Sequence, residues 1–321
     1  MYMKQLLILL SVVLTATQVF SQEVTYDYKT ELDVVFGKAL IKVDGEDQMV
    51  ELKMDAYIPE SSSSEKRPAI IYTHGGAFHR GSPRQTYHEL GAQDTSPMDY
   101  CKKFASLGYA CFAISYRMAP QNPIPTYEGY DEADLDMDRL SVLIDQANHV
   151  RTGMNLPVLD MSVDEDKEFM TNAVLVAAED LRTAISFVRS EADRFNIDSD
   201  RIILGGFSAG AVTSLNVAYG MKVPVSGLFL ISGLDVGFDI PKLLGPEDPP
   251  ILMFLGQYDL AGAISDMPKF LTAMDSKGID YSFAWVPGFG HFYSESSVSL
   301  SGDGRRMSVG DRIIEFLKEL E

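Results

Sequence analysis

Two stretches near the start of the chain, Asp33 to Lys42 and Met49 to Ile58, alternate apolar and polar residues, with Asp44-Gly45-Glu46-Asp47 between them. Period-two alternation on either side of a turn predicts a β-hairpin with one face buried. Past a serine-rich loop at 60–66 the pattern changes. Ala69 to Thr73 is a short β-branched run that stops at His74-Gly75-Gly76, and continuous apolar runs follow in Arg201-Ile-Ile-Leu-Gly-Gly and Pro250-Ile-Leu-Met-Phe-Leu-Gly. A strand apolar on both faces needs cover on both sides, which a parallel sheet with helical crossovers supplies. The predicted pieces are strand 69–73, a helix near 97–107, strand 109–115, a helix near 173–194, strand 201–206, helix 209–219, strand 225–231, strand 250–256, helix 265–277, strand 281–286 and helix 309–320. Their order predicts an α/β fold: one three-layer domain with a mostly parallel central sheet, helices on both faces and an antiparallel start.

One stretch departs from this alternation. Over 50 residues separate Tyr116-Arg117 from the helix expected to begin near Thr171, which marks an insertion over about 118–170, after the fourth strand. Met137, Leu140, Ile144 and Ala147 recur at helical spacing within it, so an amphipathic helix is expected over 131–149. The same stretch sets Asp134, Asp136, Asp138 and Asp145 at calcium-loop spacing, but Arg139 stands where such a loop turns on glycine, and a solvated helix face accounts for the carboxylates.

The N-terminus changes the picture of where the domain works. Met1 to Ser21 carries one lysine, Lys4, then the apolar run Leu6 to Leu14, with Val19 and Ser21 at the −3 and −1 positions of a cleavage site. This reads as a cleavable signal peptide, leaving a secreted or periplasmic protein of residues 22–321. The apolar run is much shorter than the roughly 20 residues a spanning helix needs. The net charge of −19 repels phosphate backbones and anionic lipid, so neither nucleic acid nor membrane is expected as a partner. Cys101 and Cys111 flank Leu107-Gly108-Tyr109 and read either as a disulfide or as two buried thiols.

Candidate chemistry begins at Gly206-Phe207-Ser208-Ala209-Gly210, between a predicted strand and a predicted helix. Strand, GxSxG and helix in that order predict a nucleophile elbow with Ser208 at its apex. A serine needs a base, and the base an orienting acid. Of five histidines only His291 follows Ser208, in the glycine-rich loop Gly288-Phe-Gly-His-Phe. Asp259 follows strand 250–256 at the end where parallel sheets gather ligand sites; Asp235, after the preceding strand, is its competitor. The oxyanion of an acyl-transfer intermediate needs donors, and the N–H groups of Gly75, Gly76 and Ala209 are the candidates, with His74 as a strut of that loop. No zinc, phosphate-loop or dinucleotide pattern is present, and no cofactor or metal is expected.

These residues carry a resemblance. His74-Gly-Gly-Ala-Phe, Tyr116-Arg117-Met-Ala-Pro, Ala178-Glu-Asp-Leu-Arg-Thr-Ala-Ile with Asp198-Ser-Asp-Arg-Ile, the serine pentapeptide, Gln257-Tyr-Asp259 and Gly290-His291-Phe resemble the HGG-containing α/β-hydrolase carboxylesterases, the hormone-sensitive-lipase-like and bacterial feruloyl-esterase-like groups, over about residues 49 to 320. The resemblance implies cofactor-free hydrolysis of carboxylic esters by a Ser208, His291, Asp259 triad. Export adds esters on plant or algal carbohydrate, feruloyl or acetyl, as expected substrates. A generic short-chain or aryl esterase, a peptidase and a non-catalytic binding module on the same fold are the rival readings. Ala77 stands where a third glycine is frequent, which narrows the acyl side, and the 118–170 insertion is expected to cap the site.

Overall fold

In the computed structural model, which describes residues 25–60, 65–89 and 91–321, the expected hairpin is longer at both ends: β1 (Tyr28–Val43) pairs antiparallel with β2 (Glu46–Pro59) around a two-residue turn. The remaining strands of the main sheet are β3 (Arg67–Thr73), β4 (Ala110–Ile114), β5 (Ile197–Phe207), β6 (Gly227–Ile231), β7 (Ile251–Gly256), β8 (Tyr281–Val286), β9 (Val298–Ser301) and β10 (Arg306–Ser308). Their spatial order is β1-β2-β4-β3-β5-β6-β7-β8-β9-β10. From β4 to β8 every neighbouring pair is parallel, and the antiparallel pairs lie at the two edges. The order reverses between the neighbours β3 and β5: β3 leads outward to β4, and β5 leads the other way through β6, β7 and β8, and open α/β sheets bind ligands at the strand ends beside such a reversal.

Both faces are covered. Helices α3 (Asp164–Ser190), α4 (Ala209–Leu215) and α5 (Ala261–Lys277) close one apolar cluster, built on Ile71, Phe112, Leu204 and Met253. Helices α1 (Pro97–Ser106) and α6 (Val309–Glu319) close the other, built on Tyr72, Phe104, Phe229 and Phe254. Cys101 of α1 and Cys111 of β4 form a disulfide, which resolves the alternatives left open by the sequence.

The insertion departs from expectation. The single helix over 131–149 is instead a 3₁₀ turn, Glu132–Asp134, a two-residue strand pairing Leu135–Asp136 with Gly237–Phe238, a second 3₁₀ turn, Met137–Val142, and only then α2 (Ile144–Gly153). Tertiary bonds explain the break: Asp134 is held by Lys242, Asp138 by Lys167, and Arg139 reaches Asp235 and Asp266. Two of the four carboxylates at calcium-loop spacing, Asp134 and Asp138, are thus paired with lysines. Helix α3 begins seven residues before the expected Thr171, at Asp164, with Asp164, Glu165 and Asp166 in its first turn, where carboxylates favour the N-terminal dipole.

Two motifs of the resemblance prove to be one clamp. Arg117, just after β4, makes a bidentate pair with Asp180 of α3, Nη2 to Oδ1 at 2.8 Å and Nε to Oδ2 at 3.1 Å, and donates to the carbonyls of Leu40 and Ile124. Glu179 accepts the amides of Thr126 and Tyr127 and the Tyr130 hydroxyl. The entry to the insertion is thereby fastened to the long helix beneath it.

Candidate active site

Strand β5 ends at Phe207 and α4 begins at Ala209, so Ser208 alone makes the turn, at φ 54° and ψ −118°. That conformation is costly for a residue with a side chain and persists only where the surroundings impose it. The surroundings here are close backbone contacts. A Cβ on Gly206 would stand 2.4 Å from the Gly210 carbonyl, and one on Gly210 would stand 2.0 Å from the Thr73 oxygen of β3. Only glycine lets the start of α4 lie against the ends of β3 and β5, and this packing lifts the Ser208 hydroxyl off the sheet.

His291 comes from the loop after β8 and Asp259 from the turn after β7. The His291 Nε2 lies 2.8 Å from Ser208 Oγ and its Nδ1 2.6 Å from Asp259 Oδ1. A carboxylate only accepts, so Nδ1 carries the proton and Nε2 presents its lone pair to the serine hydroxyl. Phe207 and Phe292 flank the imidazole with ring centres 5.3 and 5.1 Å away, which limits its rotation. Burial pushes the Asp259 carboxyl up. His291 and the hydrogen bonds from His291, Ser232 and the Leu260 amide outweigh that, and its pKa is lowered overall. Asp235, the competing acid, points instead to Arg139 at 2.8 Å, and burial raises it to about 6.

The loop after β3 lies alongside. Gly76 has φ 120°, and a Cβ there would meet the Arg80 carbonyl at 1.8 Å; Ala77 and Phe78 follow at φ 52° and 62°. His74 is fully buried, its Nδ1 donating to the Gly75 carbonyl at 2.7 Å and its ring stacked on Tyr116 at 4.4 Å. Burial lowers it to about 4, so it stays neutral as a fixed support of this loop. Tyr87 adds a hydroxyl to the same Gly75 carbonyl.

Sequence reasoning missed a layer behind the acid. Ser232, buried after β6 at φ 52°, donates to Asp259 Oδ2 at 2.6 Å, and its oxygen lies 2.9 Å from the buried Tyr293 hydroxyl. A hydroxyl has one proton, so with Ser232 donating to Asp259 the bond from Tyr293 runs into Ser232. Gly256 N–H adds a further bond to Oδ2. Asp94, from the loop after β3, is a second buried carboxyl, accepting from the Tyr87 amide at 2.6 Å; burial raises it to about 6. Among the described residues no group of histidine, cysteine and carboxylate side chains is placed to hold a metal ion.

The comparisons with known proteins fall in line with this geometry. The BD-FAE family model matches residues 54–129 and 165–224, leaving out only the middle of the insertion, and so bears out the resemblance to feruloyl-esterase-like hydrolases. Esterase 2 of the planctomycete Thermogutta terrifontis with propionate bound has 17% identity and a TM-score of 0.53, over 92% of this chain and 93% of that one. The same enzyme phosphoramylated by tabun gives 18% and 0.53, over 94% and 96%. A truncated carbohydrate esterase from gut microbiota gives 16% and 0.53, over 93% and 98%. These likenesses establish the α/β-hydrolase fold. Acyl-protein thioesterase 1 homolog 2 of Dictyostelium discoideum is 31% identical over 87 residues, 26% of this chain; the match spans about two-fifths of that relative's length, 39%.

Proposed function

We propose that this chain of the α/β-hydrolase fold is a carboxylic ester hydrolase that acts through Ser208, His291 and Asp259, on feruloyl or acetyl esters of plant or algal carbohydrate. The observation that carries the reading is the unbroken hydrogen-bonded line from Ser208 Oγ through His291 to Asp259, at the apex of a strained strand-to-helix turn. Ser208 Oγ attacks the ester carbonyl while His291 Nε2 takes its proton, and Asp259 holds the imidazole in that tautomer and stabilises the imidazolium. The oxyanion is received by the N–H groups of Gly75, Gly76 and Ala209, each such donor typically contributing about 10²–10³ in rate. His291 returns the proton to the leaving alcohol oxygen, and a water activated by the same imidazole hydrolyses the acyl-enzyme.

The carbohydrate part of the reading draws on the match to the BD-FAE model and the fold shared with a gut carbohydrate esterase. We also propose export. The signal-peptide pattern at 1–21 lies outside the described residues; the Cys101–Cys111 disulfide, a bond that persists in oxidising compartments, supports it.

The test compares the mature protein with Ser208→Ala on p-nitrophenyl acetate, methyl ferulate and acetylated xylan, with a fluorophosphonate probe on both. Turnover of at least one of these esters and labelling in the first, and neither in the second, are expected. A protein that turns over none of these esters and takes no label would instead be a binding module on a hydrolase scaffold.

A further inference from the structure

Beside Ser208 lies a partly enclosed cavity of about 10 Å³, room for roughly one methyl-sized group. Ala77 and Phe78 of the loop after β3 and Leu143, Gln146, Ala147 and Met170 of the insertion and α3 line it, together with α4 and the loops after β6 and β7. Apart from Ser208 itself, the Gln146 amide is the only polar side-chain group in that lining. Of the two halves of a carbohydrate ester, the sugar is large and carries hydroxyls that would lose water here without partners, so the cavity suits the acyl half.

The insertion side of the lining is tied to the loop after β3. Arg151 of α2 donates from Nη1 to His79 Nε2 at 2.9 Å, and His79 Nδ1 donates to the Ala77 carbonyl at 2.6 Å. Because the carbonyl takes the Nδ1 proton, Nε2 is free to accept from the guanidinium, and both bonds are satisfied by neutral His79. The guanidinium also lies 5.1 Å above the Phe169 ring. Asn148 clasps Leu159 through its amide and carbonyl at 2.7 and 2.9 Å, closing α2 against the chain that follows. The insertion is therefore bonded to the very loop whose Ala77 lines the cavity, so widening it means breaking these contacts.

We propose that this cavity is the acyl pocket, that Met170 and Leu143 in its lining limit its size, and that it admits acyl groups of about two carbons, which selects acetyl over feruloyl esters. The proposal rests on reading Ser208 as the nucleophile of an ester hydrolase. One further methylene in a filled pocket changes specificity by about 10- to 200-fold.

The experiment measures kcat/KM on p-nitrophenyl acetate, butyrate and octanoate and on methyl ferulate, for the wild type, Met170→Ala and Leu143→Ala, with fluorophosphonate labelling of Ser208 in each. The wild type is expected to lose about 10-fold or more from acetate to butyrate, more again to octanoate, and to leave methyl ferulate intact. Either truncation should raise the butyrate-to-acetate ratio about 10-fold while labelling persists; two positions are used because one may be lost to misfolding. Wild-type turnover of octanoate or methyl ferulate within about threefold of acetate would overturn the pocket, as would labelled, folded variants with unchanged acyl preference. Loss of all hydrolysis and labelling in the wild type would overturn the esterase reading itself, a separate outcome.

Discussion

Asp259 gives up one carboxylate oxygen to His291 and keeps the other for Ser232 and Gly256. A hydrogen bond to a charged group is worth about 1.5–3 kcal/mol, and Ser232 is buried, so water cannot replace its hydroxyl. Ser232→Ala should therefore lower kcat about 10-fold or more with KM nearly unchanged, since the lost bond positions the acid and touches no substrate. Tyr293→Phe removes only the donor to Ser232 and should cost less. Steady-state kinetics on p-nitrophenyl acetate rank the two, and a rise in KM with constant kcat in Ser232→Ala would reject the positioning role. Asp94 makes a different prediction. Its folded pKa of about 6 lies above the ordinary 3.8, so burial disfavours its charge. The ionised carboxyl then costs stability above pH 6, the cost fades as pH falls from about 6 to 3.8, and below that it is gone. A gap of this size corresponds to about 3 kcal/mol. Asp94→Asn keeps an oxygen for the Tyr87 amide and should raise the denaturation midpoint at pH 8 but not at pH 4; an equal gain at both would mean that charge is not the cause.

At the scale of elements, the clamp between Arg117 and α3 is the feature on which the insertion hangs. Both members are buried; removing Asp180 leaves Arg117 with the longer contact to buried Glu179 at 3.6 Å and its two carbonyls, against the about 3–5 kcal/mol typical of a buried charge left with no partner. Asp180→Ala should lose up to about that much in urea or guanidinium melts, with turnover per folded molecule far less affected; a loss under about 1 kcal/mol would show that Glu179 and the carbonyls suffice for Arg117. This clamp also shows what the sequence made legible and what it did not. The strands around Ser208 were readable because apolar runs and small residues at a tight turn leave a local pattern, and Asp259 and His291 because chemically distinctive residues follow predicted strands. The segments Tyr116-Arg117 and Glu179-Asp180 stood out as motifs, but their meaning lay in a contact across 63 positions, which no local pattern encodes. The same holds for Ser232 with Tyr293, 61 apart, and for His79 with Arg151, 72 apart. The expected 131–149 helix failed for the opposite reason: its periodicity was real, but the ion pairs of Asp134, Asp138 and Arg139 and the short strand at Leu135 hold it in pieces. The edge strands β9 and β10 escaped because four and three residues are too few to show alternation.

For the molecule as a whole, one covalent link ties the two sides of the sheet crossover. The Cys101–Cys111 bond joins α1 to β4, and both residues are completely buried against the aromatic cluster on that face. The loop it closes is short, with a sequence separation of 10, so restriction of the unfolded chain amounts to about 2–3 kcal/mol. That is a noticeable share of the 5–15 kcal/mol by which proteins are stable. A buried disulfide is also shielded from reductant until the fold opens, so the native protein should resist dithiothreitol at low temperature and lose the bond only near its melting transition. Cys101→Ser with Cys111→Ser should melt several degrees lower than the oxidised protein, at about 2–4 °C per kcal/mol for a chain of this size or somewhat smaller. The double variant should keep its activity below the transition, because neither cysteine is near Ser208 along the sheet: the bond lies on the β4 side, with β3 between it and β5. Differential scanning calorimetry with and without reductant reads the outcome directly. A double variant as stable as the oxidised protein would show that the disulfide is not needed for stability.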